Sequence, residues 1–242
     1  MKNFGLLGKN ISYSFSRTYF TEKFKKENIE AEYRNFDLDN IKEFRDVIKE
    51  TPNLQGLNVT IPYKQEIIPY LDDLAPEAKE IGAVNTINVI GNKLIGHNTD
   101  YIGFSESLKP FLKEHHKKAL ILGTGGASKA VAYALEKFKI EYKFVSRSAG
   151  ENKLGYDDLS EEIMKEHSLI INTTPLGTYP DVDAHPEIPF QFINEKHLVY
   201  DLIYNPRTTK LMARAQAKGA TATNGLKMLE LQAESAWKIW TK

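Results

Sequence analysis

A glycine-rich turn near the middle of the chain follows a short apolar run and precedes a helical pattern. The apolar run covers residues 119–122, and the sequence GTGGAS follows at residues 123–128. In a dinucleotide-binding βα unit, Gly123 would allow the tight turn, Gly125 would let the backbone approach a pyrophosphate, and the small Ser128 would let helix and strand pack closely. The positive end of the helix would face the phosphates. An ordinary strand-to-helix turn is the alternative, and the flanking pattern favours the nucleotide site.

The same alternation of short apolar runs and helix-length segments continues along the whole chain, which is typical of βαβ units. The pattern predicts strands at residues 4–7, 31–36, 57–61, 86–90, 119–122, 142–145, 169–172 and 198–202. It predicts helices at residues 16–27, 40–50, 63–71, 101–112, 128–137, 158–165, 210–218 and 225–240. The sequence therefore predicts an α/β fold, with a second domain that begins near residue 119.

Charge balance and the lack of cysteine limit the possible functions. Lys and Arg together number 32, as do Asp and Glu, so no global positive field attracts nucleic acid or an anionic membrane. The chain has no cysteine, which excludes disulfides, thiolate metal sites and a cysteine nucleophile. Its start has no signal-peptide pattern, and no apolar run is long enough to span a bilayer. We expect a cytoplasmic protein that binds a small molecule, not nucleic acid or a membrane.

The strand that follows the glycine turn ends in Ser146, Arg147 and Ser148. An NAD-binding site normally carries an acidic residue there, which accepts a hydrogen bond from the ribose 2′-OH, but the first acidic residue is Glu151. The planar guanidinium of Arg147 suits a 2′-phosphate instead. A solvated arginine in a polar loop is the alternative, and the position directly after this strand favours NADP(H).

Uncommon polar residues follow strands in the first half of the chain, at residues 58–64, 82–86 and 96–100. Lys64 falls in the first turn of a predicted helix, and Asp100 falls at the start of another. Each alone has a structural explanation, a solvated charge for Lys64 and a helix-dipole partner for Asp100. Together they are the groups that a carbonyl reduction would use for proton transfer. The histidines lack metal-binding spacing such as HExxH, so we predict no metal.

A series of motifs, taken in order, resembles the shikimate dehydrogenase family over essentially the whole chain. The motifs are SFS at 14–16, NVTIPYK at 58–64, GAVNT at 82–86, NTD at 98–100, GTGGA at 123–127, SRS at 146–148, INTTPLG at 171–177, DLIY at 201–204, and GLKML at 225–229 followed by Gln232. Any one of them is weak evidence, whereas the ordered set is specific.

The resemblance implies an NADP-dependent oxidoreductase that reversibly reduces 3-dehydroshikimate to shikimate. It implies an N-terminal α/β substrate domain at residues 1–101, completed by the C-terminal helix 225–242, a Rossmann-like NADP-binding domain at residues 102–224, and a cleft between them. It makes Lys64 and Asp100 the catalytic pair. It implies substrate contacts from Ser14, Ser16, Thr60, Asn85, Tyr204 and Gln232, the two serines holding the carboxylate. It implies cofactor contacts from Gly123, Thr124, Gly125, Gly126, Ala127, Ser146, Arg147, Ser148, Leu202 and Gly225.

The chain departs from the family pattern at several positions. The family usually has His-Ser-x-Ser-Pro where this chain has Tyr13-Ser14-Phe15-Ser16-Arg17, so both serines are present and Arg17 adds a cation near the expected carboxylate site. The family also commonly has Met at the position of Thr178 and Asn at that of Ser146. These differences concern affinity and cofactor detail more than reaction type.

Two alternatives remain open at this point. One is a quinate/shikimate dehydrogenase of the same fold that accepts quinate or NAD. The other is a non-catalytic nucleotide or metabolite sensor that keeps the fold, against which the presence of both Lys64 and Asp100 argues. The oligomeric state is open between a monomer and a homodimer.

Overall fold

The computed structural model describes residues 1–12 and 14–242, so the expectation for Tyr13 lies outside the described residues. The chain divides into two compact units. The first unit contains Met1–Thr99 and Ala233–Lys242, and the second contains Asp100–Gln232.

The first unit is built on a mixed sheet. Its elements are β1 (Lys2–Gly8), α1 (Phe15–Lys26), β2 (Ala31–Asp37), a 3-10 turn (Ile41–Glu43), α2 (Phe44–Glu50), β3 (Leu54–Val59), a 3-10 turn (Ile68–Tyr70), β4 (Asp73–Leu74), α3 (Pro76–Ile81), β5 (Thr86–Ile90) and β6 (Lys93–His97). The strand order is β2-β1-β3-β5-β6-β4. Strands β1, β2 and β3 run parallel, whereas β5 pairs antiparallel with both β3 and β6.

Apolar side chains cover both faces of this sheet. Because successive residues of a strand point to opposite faces, Leu6 and Leu7 of β1 belong to different core clusters. Helices α2 and α3 pack on the Leu7 face, and α1 packs on the Leu6 face together with the C-terminal segment. Trp240 anchors that segment, since its indole N–H donates to the Ile87 carbonyl at 2.9 Å. Position 56 is glycine because a Cβ there would lie 2.2 Å from the Trp240 indole nitrogen.

The second unit is a doubly wound parallel sheet. Its elements are α4 (Asp100–Leu108), a 3-10 turn (Lys109–Phe111), β7 (Lys118–Leu122), α5 (Gly126–Lys137), β8 (Glu141–Ser146), β9 (Lys153–Gly155), a 3-10 turn (Tyr156–Asp158), α6 (Glu161–Glu166), β10 (Leu169–Asn172), a 3-10 turn (Phe190–Phe192), β11 (Leu198–Asp201), α7 (Lys210–Gln216), β12 (Thr221–Thr223) and the start of α8 (Leu226–Trp240). The strand order is β12-β11-β10-β7-β8-β9. All neighbours in it run parallel. The order reverses between β7 and β10, which is the switch point at which such sheets bind ligands.

The predicted α/β class and the Rossmann-like topology are confirmed, but one predicted helix is wrong. Residues 63–71 form successive turns and the short 3-10 helix Ile68–Tyr70, so Lys64 is not in a helical turn. The reason is Pro69, whose ring would clash with the carbonyl of residue 65 in an α-helix and which lacks the N–H that the helix needs. The helix predicted at 101–112 is α only to Leu108, since Pro110 follows.

The sequence pattern did not predict several short elements. Strands β4, β9 and β12 have two or three residues each and end their sheets, so they contain too few residues to show an alternation. Strand β6 and the six-residue helix α3 were missed as well. No helix in the described part of the chain is long and apolar enough to cross a membrane.

Buried histidines stand just before three strands of the second unit. His116, His167 and His197 are 2–4% exposed and precede β7, β10 and β11. The His116 ring donates to the Lys196 carbonyl at 3.3 Å, and the His167 ring donates to the Ile163 carbonyl at 2.8 Å. Burial is the main cause that lowers the pKa of both His116 and His167 below the ordinary value.

This burial predicts acid destabilisation. Because the folded-state pKa lies below the ordinary value of 6.5, the neutral rings contribute stability above pH 6.5 that is lost as the pH falls through the folded pKa. The free energy of unfolding, measured by urea denaturation between pH 5 and pH 7.5, should fall toward pH 5, and less steeply in a His116→Gln/His167→Gln variant. The exposed neighbour provides the control, His115→Gln. Equal slopes in all three proteins would contradict the assignment.

Candidate active site

The turn after β7 packs against the loop after β10 at the switch point. Gly123 has a φ of +107°, and a Cβ on it would lie 2.8 Å from Thr173 Oγ1. The backbone N–H of Thr173 and its hydroxyl donate to the Leu122 carbonyl at 2.9 and 2.7 Å. Glycine is therefore required at position 123 by both its backbone angle and its surroundings.

Gly125 faces open space. Its φ is −82°, which any residue adopts, and a Cβ would meet nothing within 4 Å. It is the N-cap of α5 and has no side chain to bond the first N–H groups of that helix. Ser128 is buried beneath it and donates to the Gly125 carbonyl at 2.7 Å. The Gly123 N–H donates to the Val145 carbonyl at 2.8 Å, so an anion at this turn would be bound by the first N–H groups of α5.

Arg147 follows the strand next to the glycine turn. Strand β8 pairs with β7 and ends at Ser146, whose hydroxyl donates to the Ser148 carbonyl at 2.7 Å and so shapes the turn. The Arg147 side chain is exposed at this carboxyl edge of the sheet. Its guanidinium is therefore available to a ligand bound along the edge.

Two other predicted cofactor residues meet at the carboxyl edge. A Cβ on Gly225 would lie 2.0 Å from the Leu202 carbonyl oxygen, and the Gly225 N–H donates to the Ile203 carbonyl at 3.1 Å. Leu202 in turn donates its N–H to the carbonyl of Asn172, the last residue of β10, at 3.0 Å. Tyr204 is 36% exposed, and burial raises the pKa of its phenol. The structure thus brings Leu202, Tyr204 and Gly225 to one edge of the sheet.

A buried polar pair closes the ends of β10 and β11. Asn172 and Asp201 are both 0% exposed, and the Asn172 amide donates to an Asp201 carboxylate oxygen at 2.9 Å. The Asn172 amide oxygen accepts from the hydroxyl of Thr174 at 2.7 Å. The sequence pattern assigned no role to either member of the pair. The feature of the sequence that could have indicated this pair is a polar residue at the end of an otherwise apolar strand.

The two serines predicted to bind a ligand carboxylate lie at the start of α1. Ser14 is the N-cap and accepts from the Arg17 backbone N–H at 3.2 Å. Ser16 is buried and hydrogen-bonded to the Tyr33 hydroxyl. Burial raises the pKa of Tyr33 well above its ordinary value, and Tyr33 donates to the Asn58 amide oxygen at 2.8 Å.

The same polar layer continues to Asn85. The Asn85 amide group donates to the Thr99 hydroxyl at 3.0 Å, and its oxygen accepts from the Thr99 backbone N–H at 2.6 Å. The Val84 N–H donates to the Lys64 carbonyl at 2.7 Å. One segment therefore fixes the backbone at Lys64 and also fixes Thr99, the residue directly before Asp100.

Of the remaining predicted residues, Thr60 and Asp100 lie close in the chain to Lys64 and Thr99, whereas Gln232 lies on α8. Thr60 follows β3 and donates its N–H to the Leu7 carbonyl at 2.8 Å. Asp100 is buried as the first residue of α4, and Gln232 is buried on α8, where its amide donates to the Leu229 carbonyl at 3.0 Å. Both Asp100 and Gln232 belong to the second unit. Among the predicted residues, those of the first unit carry hydroxyl and amide groups, together with the amine of Lys64. This set suits a small polyhydroxy ligand.

Comparison with known proteins gives matches along the whole chain. Residues 6–87 match a family model described as shikimate dehydrogenase substrate binding domain. A protein of Clostridium botulinum named shikimate dehydrogenase (NADP(+)) is 40% identical, over 98% of this chain and 95% of its own length.

Solved structures match as well. A shikimate 5-dehydrogenase of Thermus thermophilus, in complex with NADP(H) and shikimate, is 32% identical with a TM-score of 0.88, covering 100% of this chain and 94% of its own. A quinate dehydrogenase of Corynebacterium glutamicum, in complex with NAD, is 25% identical with a TM-score of 0.86, covering 99% and 93%.

The two glycine environments predict that an added methyl group destabilises the protein at position 225 but has little effect at position 125. Gly225→Ala should lower the free energy of unfolding by about 1–3 kcal/mol, because the Cβ cannot be placed without moving backbone. Gly125→Ala should change it by less than about 1 kcal/mol, since the site is open and φ is negative. Chemical denaturation of both variants tests this. A Gly225→Ala protein as stable as the wild type would show that the backbone at Leu202 can move away from the added Cβ at little cost.

Proposed function

The chain belongs to the shikimate dehydrogenase family, and on that premise we propose that it catalyses the reversible, NADP-dependent reduction of 3-dehydroshikimate to shikimate. The observation that carries the proposal is the near-full-length similarity to proteins with this activity in their names. The first unit acts as the substrate domain, and the second unit, with its doubly wound sheet, binds the cofactor.

NADP(H) binds along the carboxyl edge of the second sheet. The residues that would hold its pyrophosphate are those of the open turn, Gly123, Thr124, Gly125, Gly126 and Ala127. The 2′-phosphate is held by Arg147, with Ser146 and Ser148 beside it, because a guanidinium offers paired donors to phosphate oxygens. Leu202 and Gly225, whose backbones lie in close contact, would hold the nicotinamide end. When bound, NADP(H) would supply the hydride, and the protein would position the cofactor.

Shikimate binds through the polar layer of the first unit. Ser14 and Ser16 hold its carboxylate, and the exposed Arg17, three residues along α1 from Ser14, adds a favourable charge. Thr60, Asn85, Tyr204 and Gln232 bond to its hydroxyl groups. Hydrogen bonds to several hydroxyls give specificity because an analogue that lacks one leaves a polar group unpaired.

Lys64 and Asp100 handle the proton of the reacting hydroxyl. In oxidation this pair would accept the proton of the reacting hydroxyl, and in reduction it would return a proton to the carbonyl oxygen. The fixed backbone at Lys64 and at Thr99 supports this assignment, since proton transfer needs side chains held in a constant position.

The alternative of a quinate enzyme that uses NAD is not favoured. The quinate dehydrogenase structure is less similar in sequence than the shikimate dehydrogenases, and Arg147 stands where an NAD site would carry an acid. A cytoplasmic location, a state of monomer or homodimer, and the lack of nucleic-acid binding stay predictions.

Arg147→Ala should weaken NADPH binding by about 1.5–3 kcal/mol, the range for a hydrogen bond to a charged group. Affinity for NADH should barely change, because NADH lacks the 2′-phosphate. Fluorescence titration with both cofactors measures this. Lys165→Ala, which removes an exposed cation from α6, is the matched control and should bind both cofactors normally. An equal loss for NADPH and NADH would show that Arg147 does not contact the 2′-phosphate.

Lys64→Ala should lower kcat by roughly 10²–10⁴-fold, the usual effect of losing a positioned acid–base group, with a much smaller change in the KM for shikimate. Asp100→Asn should also lower kcat. Because the two groups act together, the double variant should lose far less than the sum of the single free-energy losses. Steady-state kinetics test this, with Lys79→Ala on α3 as a control for removal of a lysine. A folded Lys64→Ala enzyme with near-normal kcat would disprove the assignment.

A further inference from the structure

Asp201, the last residue of β11, is a fully buried carboxylate that has no role in the mechanism proposed above. One oxygen accepts from the Asn172 amide at 2.9 Å and from the Ile203 backbone N–H at 3.1 Å. The other accepts from the Thr209 hydroxyl at 2.6 Å. The three partners are uncharged, so the carboxylate depends on hydrogen bonds alone to offset its loss of water.

These bonds join two loops at the cofactor edge. Ile203 opens the loop between β11 and α7, and Thr209 closes it as the N-cap of α7, so one carboxylate holds both ends. The Asn172 side chain extends the connection to the loop after β10, where it accepts from the backbone N–H of Thr174 at 3.0 Å. The β11–α7 loop includes Tyr204, and Leu202 lies at its base.

We propose that Asp201 is a positioning residue that fixes the loop carrying Leu202 and Tyr204 in the geometry that hydride transfer needs. The inference rests on the proposed function of those two residues. Asp201 touches neither substrate nor cofactor, and it acts through the backbone of the loop. A displacement of about 1 Å at a reacting group is enough to cost a large factor in rate.

The arrangement is strongest with the ionised carboxylate, because hydrogen bonds to a charged acceptor are stronger than those between neutral groups. Once protonated, Asp201 must donate a hydrogen bond, but the Ile203 N–H is only a donor and the Asn172 oxygen is already occupied by Thr174. Only the Thr209 hydroxyl can reverse its role. Burial raises the pKa of Asp201 to about 6, while the bonds from Thr209, Ile203 and Asn172 lower it. The charged residues that follow Asp201 in the loop and at the start of α7, Arg207 and Lys210, are exposed, and no charged group is among the causes of the pKa shift. The loop should therefore loosen as the pH falls through about 6.

The test compares kcat, KM and their pH dependence in the full-length enzyme. Asp201→Asn should lower kcat/KM for shikimate on the order of 10–100-fold per folded molecule, and the loss of activity below about pH 6 that arises from Asp201 should disappear. Thr209→Val should shift that loss to higher pH, because one bond that favours the ionised form is gone. Thr209→Ser, which keeps the hydroxyl, should restore the wild-type profile.

Ser107→Ala is the matched control for stability. Ser107 is a buried hydroxyl of the same unit, bonded at 2.6 Å to Tyr200, the neighbour of Asp201 on β11. Its loss should lower the melting temperature but leave kcat and KM unchanged. Wild-type kinetics in folded Asp201→Asn, or an acid limb identical in Thr209→Val and wild type, would overturn the proposal; the second outcome decides even if Asp201→Asn fails to fold. A wild-type protein without shikimate oxidation would instead overturn the proposed function itself.

Discussion

The shape of the carboxyl edge of the second sheet depends on the reversal of strand order between β7 and β10. At that point the connections after the two strands leave in opposite directions, and their turns part to form a crevice lined by backbone. The loop after β10 is held on the end of β7 by two bonds from Thr173 to the Leu122 carbonyl. That contact leaves no space for a side chain at Gly123, whereas Gly125 faces open space. One turn thus contains a glycine that the fold requires and a glycine that the fold leaves free to change.

The first unit contains a set of buried polar side chains that are bonded to one another, so the fold fixes their orientation. Tyr33, Asn58 and Asn85 belong to one connected layer, which Thr86 joins through its hydroxyl. A buried amide or hydroxyl is costly without a partner, so each of these groups also restricts its neighbours. Such a layer suits a polar substrate whose hydroxyls must each meet a fixed group.

The sequence predicted what depends on local pattern and missed what depends on register. The strands around the glycine turn, and the turn itself, follow from apolar runs and glycine positions. The helix predicted at residues 63–71 was wrong because the apolar spacing outweighed Pro69, and the two- and three-residue edge strands are too short to show a period. The pairing of Asn172 with Asp201 follows from the parallel register of β10 and β11, which places these residues side by side. Nothing in their spacing along the chain indicates that contact.

The central claim is that the two units together form an NADP-dependent shikimate dehydrogenase. The most direct measurement is the absorbance of reduced nicotinamide after the purified protein is mixed with a substrate and a cofactor. Shikimate and quinate are each tested with NADP⁺ and with NAD⁺, which gives four combinations. We expect rapid reduction with shikimate and NADP⁺, and much slower reduction in the other three combinations. Faster reduction with quinate or NAD⁺ would contradict the assigned specificity, and no reduction in any combination would contradict the claim that the protein is a dehydrogenase of these substrates.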